Sequence, residues 1–516
     1  MNIAQPIFPL VRIACVLSLI ASAGFAQNIA TPMLGQGRSW QTPYYVVDSG
    51  VDGPTVVITG GIHGNEPAGA RSAEQIRHWP IVRGKLIVVP QVNTAGLQAN
   101  KRFIPGAPEE QQDLNRNFPS PGIADEPRGE IATELWKFVV AQNPDWFFDL
   151  HEGFDFNISH EPKPGNEKSV GSSIIYDRNQ DLDVLVERML AAANANVTDD
   201  DRRFVSKGRG PKKTTLAGAV IDVLDRKAMI LETTWQHQRL PVRTRQHRKM
   251  MNVALNQLGM IVSDCSPVVA APVDKRHGHI FVALYDDEGG SDAGVANLTK
   301  VFDAAPDMTV VHLGADDIRE EVLSQFDVVV FGGGSGSVEA KTIGKEGAEA
   351  VRAFVRNGGG YVGVCAGAYL CSAHYTWSLN LIDTHVLTGK REVEGSGPKS
   401  MWYRGGSSCQ QMELTTEGRQ LFSGISPNVD VRYQNGPIVS PKNFPGLKPY
   451  QVLAYFRSEQ VLHPPQKGTM IDTPAIVSGE FGKGRVISIS PHPEATEGLE
   501  SMLATAVTAV APQREP

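Results

Sequence analysis

The chain alternates short apolar runs with stretches of helical period. Tyr44–Val47, Thr55–Thr59, Lys85–Pro90 and Trp146–Leu150 are β-branched or aromatic runs of strand length. Between them, Ala68–His78 and Gly129–Asn143 repeat apolar residues every three to four positions and predict helices. Ala228–Leu231 predicts one more buried strand. Strands alternating with helices predict an α/β unit with a largely parallel sheet, ending near Cys265. The stretch 266–275 combines two prolines with small residues, lacks any amphipathic period, and reads as a linker. A second α/β series begins at His279–Tyr285, continues through Asp327–Phe331 and Gly360–Val364, and closes with Val486–Ser490. No internal repeat relates the two halves.

The first 26 residues break this pattern. Arg12 is their only charge, and the apolar run Ile13–Ile20 follows it, then the small-residue sites Ala21-Ser22-Ala23 and Gly24-Phe25-Ala26. That order predicts a secretory signal cleaved after Ala23 or Ala26, and the run is short of the about 20 residues a membrane span needs. Cys15 lacks a lipobox-like context, so no lipid anchor is expected. The mature protein is expected to be soluble, in the periplasm or outside the cell.

At 516 residues the chain has room for two to four domains. The expected division is 1–26 signal, 27–265 first domain, 266–275 linker and 276–516 second domain. A formal net charge of −7, with no Lys/Arg-rich stripe, argues against a nucleic-acid partner. Four cysteines remain after signal removal, Cys265, Cys365, Cys371 and Cys409. They are too few for a disulfide framework and match no cysteine zinc site.

The first candidate chemistry follows the strand Thr55–Thr59. Gly60-Gly61-Ile62-His63-Gly64-Asn65-Glu66 puts a histidine and a glutamate three apart, where a strand turns into a helix. A catalytic zinc takes three protein ligands from imidazole and carboxylate groups and keeps one position open. His151, at the end of the strand Trp146–Leu150, lies where open α/β sheets bind ligands. Asp149 or Glu152 could orient such a ligand from behind.

Four motifs, His63-Gly64-Asn65-Glu66, Asp113 to Pro119, Asp149-Leu150-His151 and Leu231-Glu232-Thr233, occur in the order seen in zinc carboxypeptidases. The region 45–260 resembles the succinylglutamate desuccinylase/aspartoacylase branch of that superfamily. The resemblance implies one zinc per chain on His63, Glu66 and His151, with a water in the open position. Glu232 would be the general base activating that water, and Arg102 would stabilise the oxyanion. Asn115 and Arg116 would grip the substrate's terminal carboxylate. On their own, Glu232 could be a solvated strand-end charge, Arg102 a partner of a surface carboxylate, and Asn115 a turn residue. The chain departs from the pattern in one respect: the tyrosine that many carboxypeptidases place over the substrate is not identifiable.

In the second half, Gly363-x-Cys365-x-Gly367 sits between a strand and a helical pattern, with the spacing of a nucleophile elbow. A helix N-terminus there would favour the thiolate. His492 and Glu494 follow late in the chain. Cys365, His492 and Glu494 resemble the triad of class I glutamine amidotransferases, with Gly332-Gly333-Gly334 at the oxyanion position. The stretch Ile280 to His492 resembles more closely the amidotransferase-like domain at the N-terminus of some biotin–protein ligases. The expected fold is therefore a zinc-carboxypeptidase-like α/β domain followed by a flavodoxin-like, class I amidotransferase-like α/β domain.

The expected function is that of an exported zinc-dependent metallohydrolase. It would cleave an amide bond beside a free carboxylate in a peptide or N-acyl amino acid. Two alternatives stand beside it: a non-catalytic peptide-binding protein, and a cysteine-dependent amidase acting through Cys365.

Overall fold

The computed structural model describes residues 32–162, 167–272, 278–393, 395, 397–400, 408–459 and 468–513. The expected signal, 1–26, lies outside these. Each half is organised around one sheet.

The first sheet has seven strands in the order Tyr45–Asp48, Lys85–Val89, Thr55–Gly60, Trp146–Gly153, Lys227–Thr234, Ser173–Tyr176, Val205–Lys207. The central strands Thr55–Gly60, Trp146–Gly153 and Lys227–Thr234 run parallel, with antiparallel pairings at Tyr45–Asp48 and Ser173–Tyr176. Their near-continuous apolar runs fit strands covered on both faces. One face packs on the helices Pro67–Ile76, Asp183–Asn194 and Leu240–Gln257, where Ile76, Met189, Met250, Met251 and Leu255 are buried. The other packs on Glu130–Gln142 and Leu216–Leu224 through Leu135, Val139, Leu216 and Val220.

The second sheet has nine strands, in the order Met308–Leu313, Ile280–Tyr285, Val328–Phe331, Gly360–Val364, Gly484–Ile489, Pro474–Phe481, Gln451–Phe456, Ser408–Leu414, Asn428–Tyr433. The first five are parallel and the remainder antiparallel. The fold is α/β in both halves, with mixed rather than purely parallel sheets. No described helix is long and apolar enough to cross a membrane.

The stretch expected as a linker is packed where it is described. Ser266, Val269 and Ala270 are buried, and Trp79 Nε1 donates to the Val268 carbonyl at 2.9 Å. Gln325 of the second half receives the Val269 and Ala270 amides on its Oε1 and donates to the Pro267 carbonyl. The two halves also meet through charge. Helix Leu240–Gln257 presents Arg245, Arg248 and Lys249, and the residue before it is Arg239. Facing them are Asp292, Asp317 and Glu320 of the second half. Arg248 is 1% exposed, pairs with Asp317, and also donates to Gln75 Oε1 (2.5 Å) and the Ser266 carbonyl (2.8 Å).

Candidate metal centre and a second, cysteine site

Two neighbouring strand ends bring the first cluster together. His63 lies just past Thr55–Gly60, Glu66 caps helix Pro67–Ile76, and His151 lies inside Trp146–Gly153. Close packing makes this convergence possible. A Cβ at Gly69 would sit 2.2 Å from the Leu150 carbonyl oxygen, so only glycine lets the helix approach that strand.

One ligand atom from each of His63, Glu66 and His151 falls within 4.8 Å of the others, and all three residues are buried. His63 Nδ1 is 2.7 Å from Glu66 Oε1, and His151 Nδ1 is 2.8 Å from Glu66 Oε2. The far nitrogens are held as well: His63 Nε2 is 3.1 Å from Asp113 Oδ1, and His151 Nε2 is 2.8 Å from Asp149 Oδ2. Asp149 is itself fixed by Thr59 Oγ1 at 2.7 Å. Imidazoles that ligate metals carry such a carboxylate on the other ring nitrogen, which fixes ring orientation and raises basicity. Of the two residues expected behind His151, Asp149 takes that place. Glu152 points elsewhere, to the Ala68 amide (2.7 Å) and to Arg243.

The electrostatics favour a cation. Burial alone would raise the Glu66 carboxyl, yet the flanking imidazoles hold it well below the usual carboxylate range. Burial disfavours the His151 cation, but Asp149 and Glu66 outweigh it and keep its pKa well above the ordinary imidazole value. Two nitrogens and a carboxylate, backed by two further carboxylates, suit a borderline-soft divalent ion such as zinc.

The remaining first-half candidates line the same cleft, about 490 Å³ in volume. Glu232 stands opposite His151 in strand register, and burial pushes its carboxyl up to about 8. Arg102 Nη1 reaches Glu66 Oε1 at 2.8 Å, and its Nη2 lies 3.7 Å from Asp113 Oδ2. Asn115 is engaged within the protein: its Nδ2 is 3.1 Å from His151 Nε2 and its Oδ1 accepts from the Leu216 amide at 2.9 Å. Arg116 donates to the Asn115 carbonyl and still faces the cleft.

The sequence reading did not single out Arg209, Lys212, Phe154 and Trp235, which also line the cleft. Arg209 and Lys212 lie in a basic run, 207–213, that could have been noticed; Trp235 lies three residues after Glu232. No tyrosine lines this cleft among the described residues.

The second constellation also assembles. Cys365 sits between strand Gly360–Val364 and helix Ala366–Cys371 with φ 51° and ψ −95°, a conformation rare for a side-chain-bearing residue. The flanking glycines are sterically required: a Cβ at Gly363 would lie 2.4 Å from the Gly367 oxygen, and one at Gly367 2.2 Å from the Phe331 oxygen. His492 Nδ1 is 2.7 Å from Glu494 Oε1. Burial opposes the His492 cation, but hydrogen bonds with Cys365 and Glu494 push its pKa up to about 10. Of the glycine turn, Gly333 is the member beside both: a Cβ there would be 3.1 Å from His492 Cε1 and 3.9 Å from Cys365 Cβ. The thiol is buried and donates to the Gln434 carbonyl at 3.4 Å. All four cysteines, Cys265, Cys365, Cys371 and Cys409, are free.

Comparison with known families agrees with this two-part construction. Residues 52–158 match the succinylglutamate desuccinylase/aspartoacylase catalytic domain, and residues 280–512 match the N-terminal biotin-protein ligase family. The chain thus has one stretch similar to the first family followed by one similar to the second. A curated relative, the N-alpha-acetyl-L-2,4-diaminobutyric acid deacetylase of Halomonas elongata, is 32% identical over 131 residues, covering 24% of this chain and 36% of the relative. The chain therefore spans about a third of the length of that relative. Among solved structures, the mDAP-bound form of Helicobacter pylori Csd4, a D,L-carboxypeptidase, aligns with a TM-score of 0.34 and 21% identity, covering 40% of this chain and 52% of that one. A succinylglutamate desuccinylase/aspartoacylase from Rhodobacter sphaeroides aligns at 0.30 and 22%, covering 43% and 61%.

Proposed function

We propose that the first half is a zinc-dependent amide hydrolase of the amidohydrolase or carboxypeptidase type, exported by the N-terminal signal. The observation that carries this reading is the convergence of His63, Glu66 and His151, with a carboxylate behind each imidazole. These three residues would hold the ion, which when bound supplies Lewis-acid polarisation and lowers the pKa of water.

The chain's own groups then have distinct tasks. Glu232 takes the proton of the attacking water and delivers it to the departing amine; its place on the cleft wall opposite His151 suits that exchange. Arg102 stands beside the ligands and faces the charge that develops on the scissile carbonyl oxygen. Arg116, with Arg209 and Lys212 on the cleft wall, attracts the free carboxylate of a peptide or N-acyl amino acid. On this reading Asn115 is held through its Oδ1 by the Leu216 amide, which leaves its Nδ2 to donate to the substrate carboxylate.

Metal analysis of the purified mature protein should give one zinc per chain. A screen of N-acyl amino acids and short peptides should then find hydrolysis that chelation abolishes and zinc restores. Undiminished turnover after complete metal removal would overturn the assignment.

A second reading concerns Cys365. The strained backbone and the close His492 and Glu494 suit a nucleophile. A thiol-dependent amidase activity predicts that alkylation or Cys365→Ser removes one activity and leaves the chelator-sensitive one intact. An unchanged activity spectrum after alkylation would leave this half as a binding or accessory domain.

A further inference from the structure

The mechanism above leaves Glu152 unused, although it neighbours a ligand and its side chain is fully buried. His151 faces the cleft; Glu152 also borders it, but its side chain is fully buried and its carboxylate turns toward helices Pro67–Ile76 and Leu240–Gln257. There its Oε1 accepts the Ala68 amide at 2.7 Å, two residues beyond Glu66. Its own amide donates to Glu66 Oε2 at 3.0 Å. Glu152 therefore ties the segment bearing Glu66 to the strand bearing His151.

The remaining oxygen, Oε2, is paired with Arg243 of helix Leu240–Gln257. Arg243 is buried and lies outside the cleft lining, so it can meet neither substrate nor the reacting atoms. Its side-chain hydrogen bond goes to Glu152. Without Arg243, Oε2 loses its hydrogen-bond partner and the carboxylate is free to rotate away from the Ala68 amide, which loosens the link between the two ligand-bearing segments.

We propose that Arg243 is a positioning residue for the metal centre, holding Glu66 and His151 at ligating distance by clamping Glu152. This rests on the zinc reading of the same site.

The experiment measures zinc affinity by chelator competition, together with thermal unfolding, for the full mature chain and for Arg243→Ala, Arg243→Lys and Glu152→Gln. Arg243→Ala should weaken zinc binding about 10–100-fold, the range for groups that support metal ligands. Arg243→Lys should recover part of that loss, because it restores the charge without the planar fork. Glu152→Gln keeps an acceptor for Ala68 but loses the ion pair, and should weaken zinc binding in the same direction; it also serves if Arg243→Ala does not fold. Wild-type zinc affinity in folded Arg243→Ala or Glu152→Gln, with only the unfolding temperature lowered, would overturn the positioning role. A wild-type chain that binds no zinc would instead overturn the metal reading itself.

Discussion

The two candidate sites are built by opposite means. The first is a cluster of side chains: three ligands from two strand ends, each supported by another charged or polar side chain, around an open cleft of about 490 Å³. The second is a backbone device. A thiol is presented on a strained turn, and glycines at 363 and 367 clear the space around it because no other residue fits. Changes of charge should therefore tell most at the metal site, and changes of backbone at the cysteine site.

The sharpest break of this comparison comes from the ligands. His151→Ala should abolish zinc binding and activity together, whereas Glu232→Gln should keep the zinc and lower kcat by about 10²–10⁴-fold, the usual contribution of a general acid–base group. Metal content and kcat measured on both variants separate holding the ion from moving the proton. If Glu232→Gln also lost its metal, Glu232 would belong with the ligands.

A smaller effect is expected at the elbow. Gly367→Ala forces a methyl against the Phe331 carbonyl and should destabilise the chain by about 1–3 kcal/mol. Zinc content should stay at the wild-type level. Chemical denaturation followed by metal analysis checks both halves of that statement.

A further effect concerns pH. Glu339, in the first turn of helix Gly336–Arg356 and just past the glycine turn, is fully buried, and neither carboxylate oxygen has a hydrogen-bond partner. Burial pushes its carboxyl up to about 8. A group whose folded pKa is raised stabilises the fold fully below its unfolded value, near 4.5, and that contribution is lost as pH rises toward 8. Relative to the wild type, Glu339→Gln should gain in unfolding temperature between about pH 5 and pH 8, and gain nothing further above that. A gap independent of pH would mean that Glu339 is solvated or paired in solution.

Much of this architecture was legible in the residues, and the failures have physical causes. The strand Trp146–Leu150 was readable from its apolar run, but it continues to Gly153 through His151 and Glu152. Functional polar residues interrupt the apolar signal where the strand enters the site. The same holds for Ala228–Leu231, whose strand runs from Lys227 to Thr234 past Glu232. In the second half, the antiparallel strands Ser408–Leu414 and Asn428–Tyr433 went unread because they alternate polar and apolar residues and lack a continuous hydrophobic run. The local motifs gave the ligands and the elbow. Asp149 emerged as a support because it lies two residues from His151; Asp113 and Arg243 did not, because Asp113 meets His63 across 50 residues and Arg243 meets Glu152 across 91, and no local period encodes such pairings.

The division of charge between the halves has a consequence for how the chain can be handled. At this seam the first half contributes the cations and the second half the anions, and Arg248 is sealed among Asp317, Gln75 and Ser266. Raised ionic strength can screen the rim pair Arg239–Asp292, whose aspartate is largely solvated, but it reaches Arg248 poorly. Severing the chain after residue 265 would strip that guanidinium of its carboxylate and of the Ser266 carbonyl at once. The front half expressed by itself should therefore be a poorer stand-in for the intact protein than its self-contained sheet suggests.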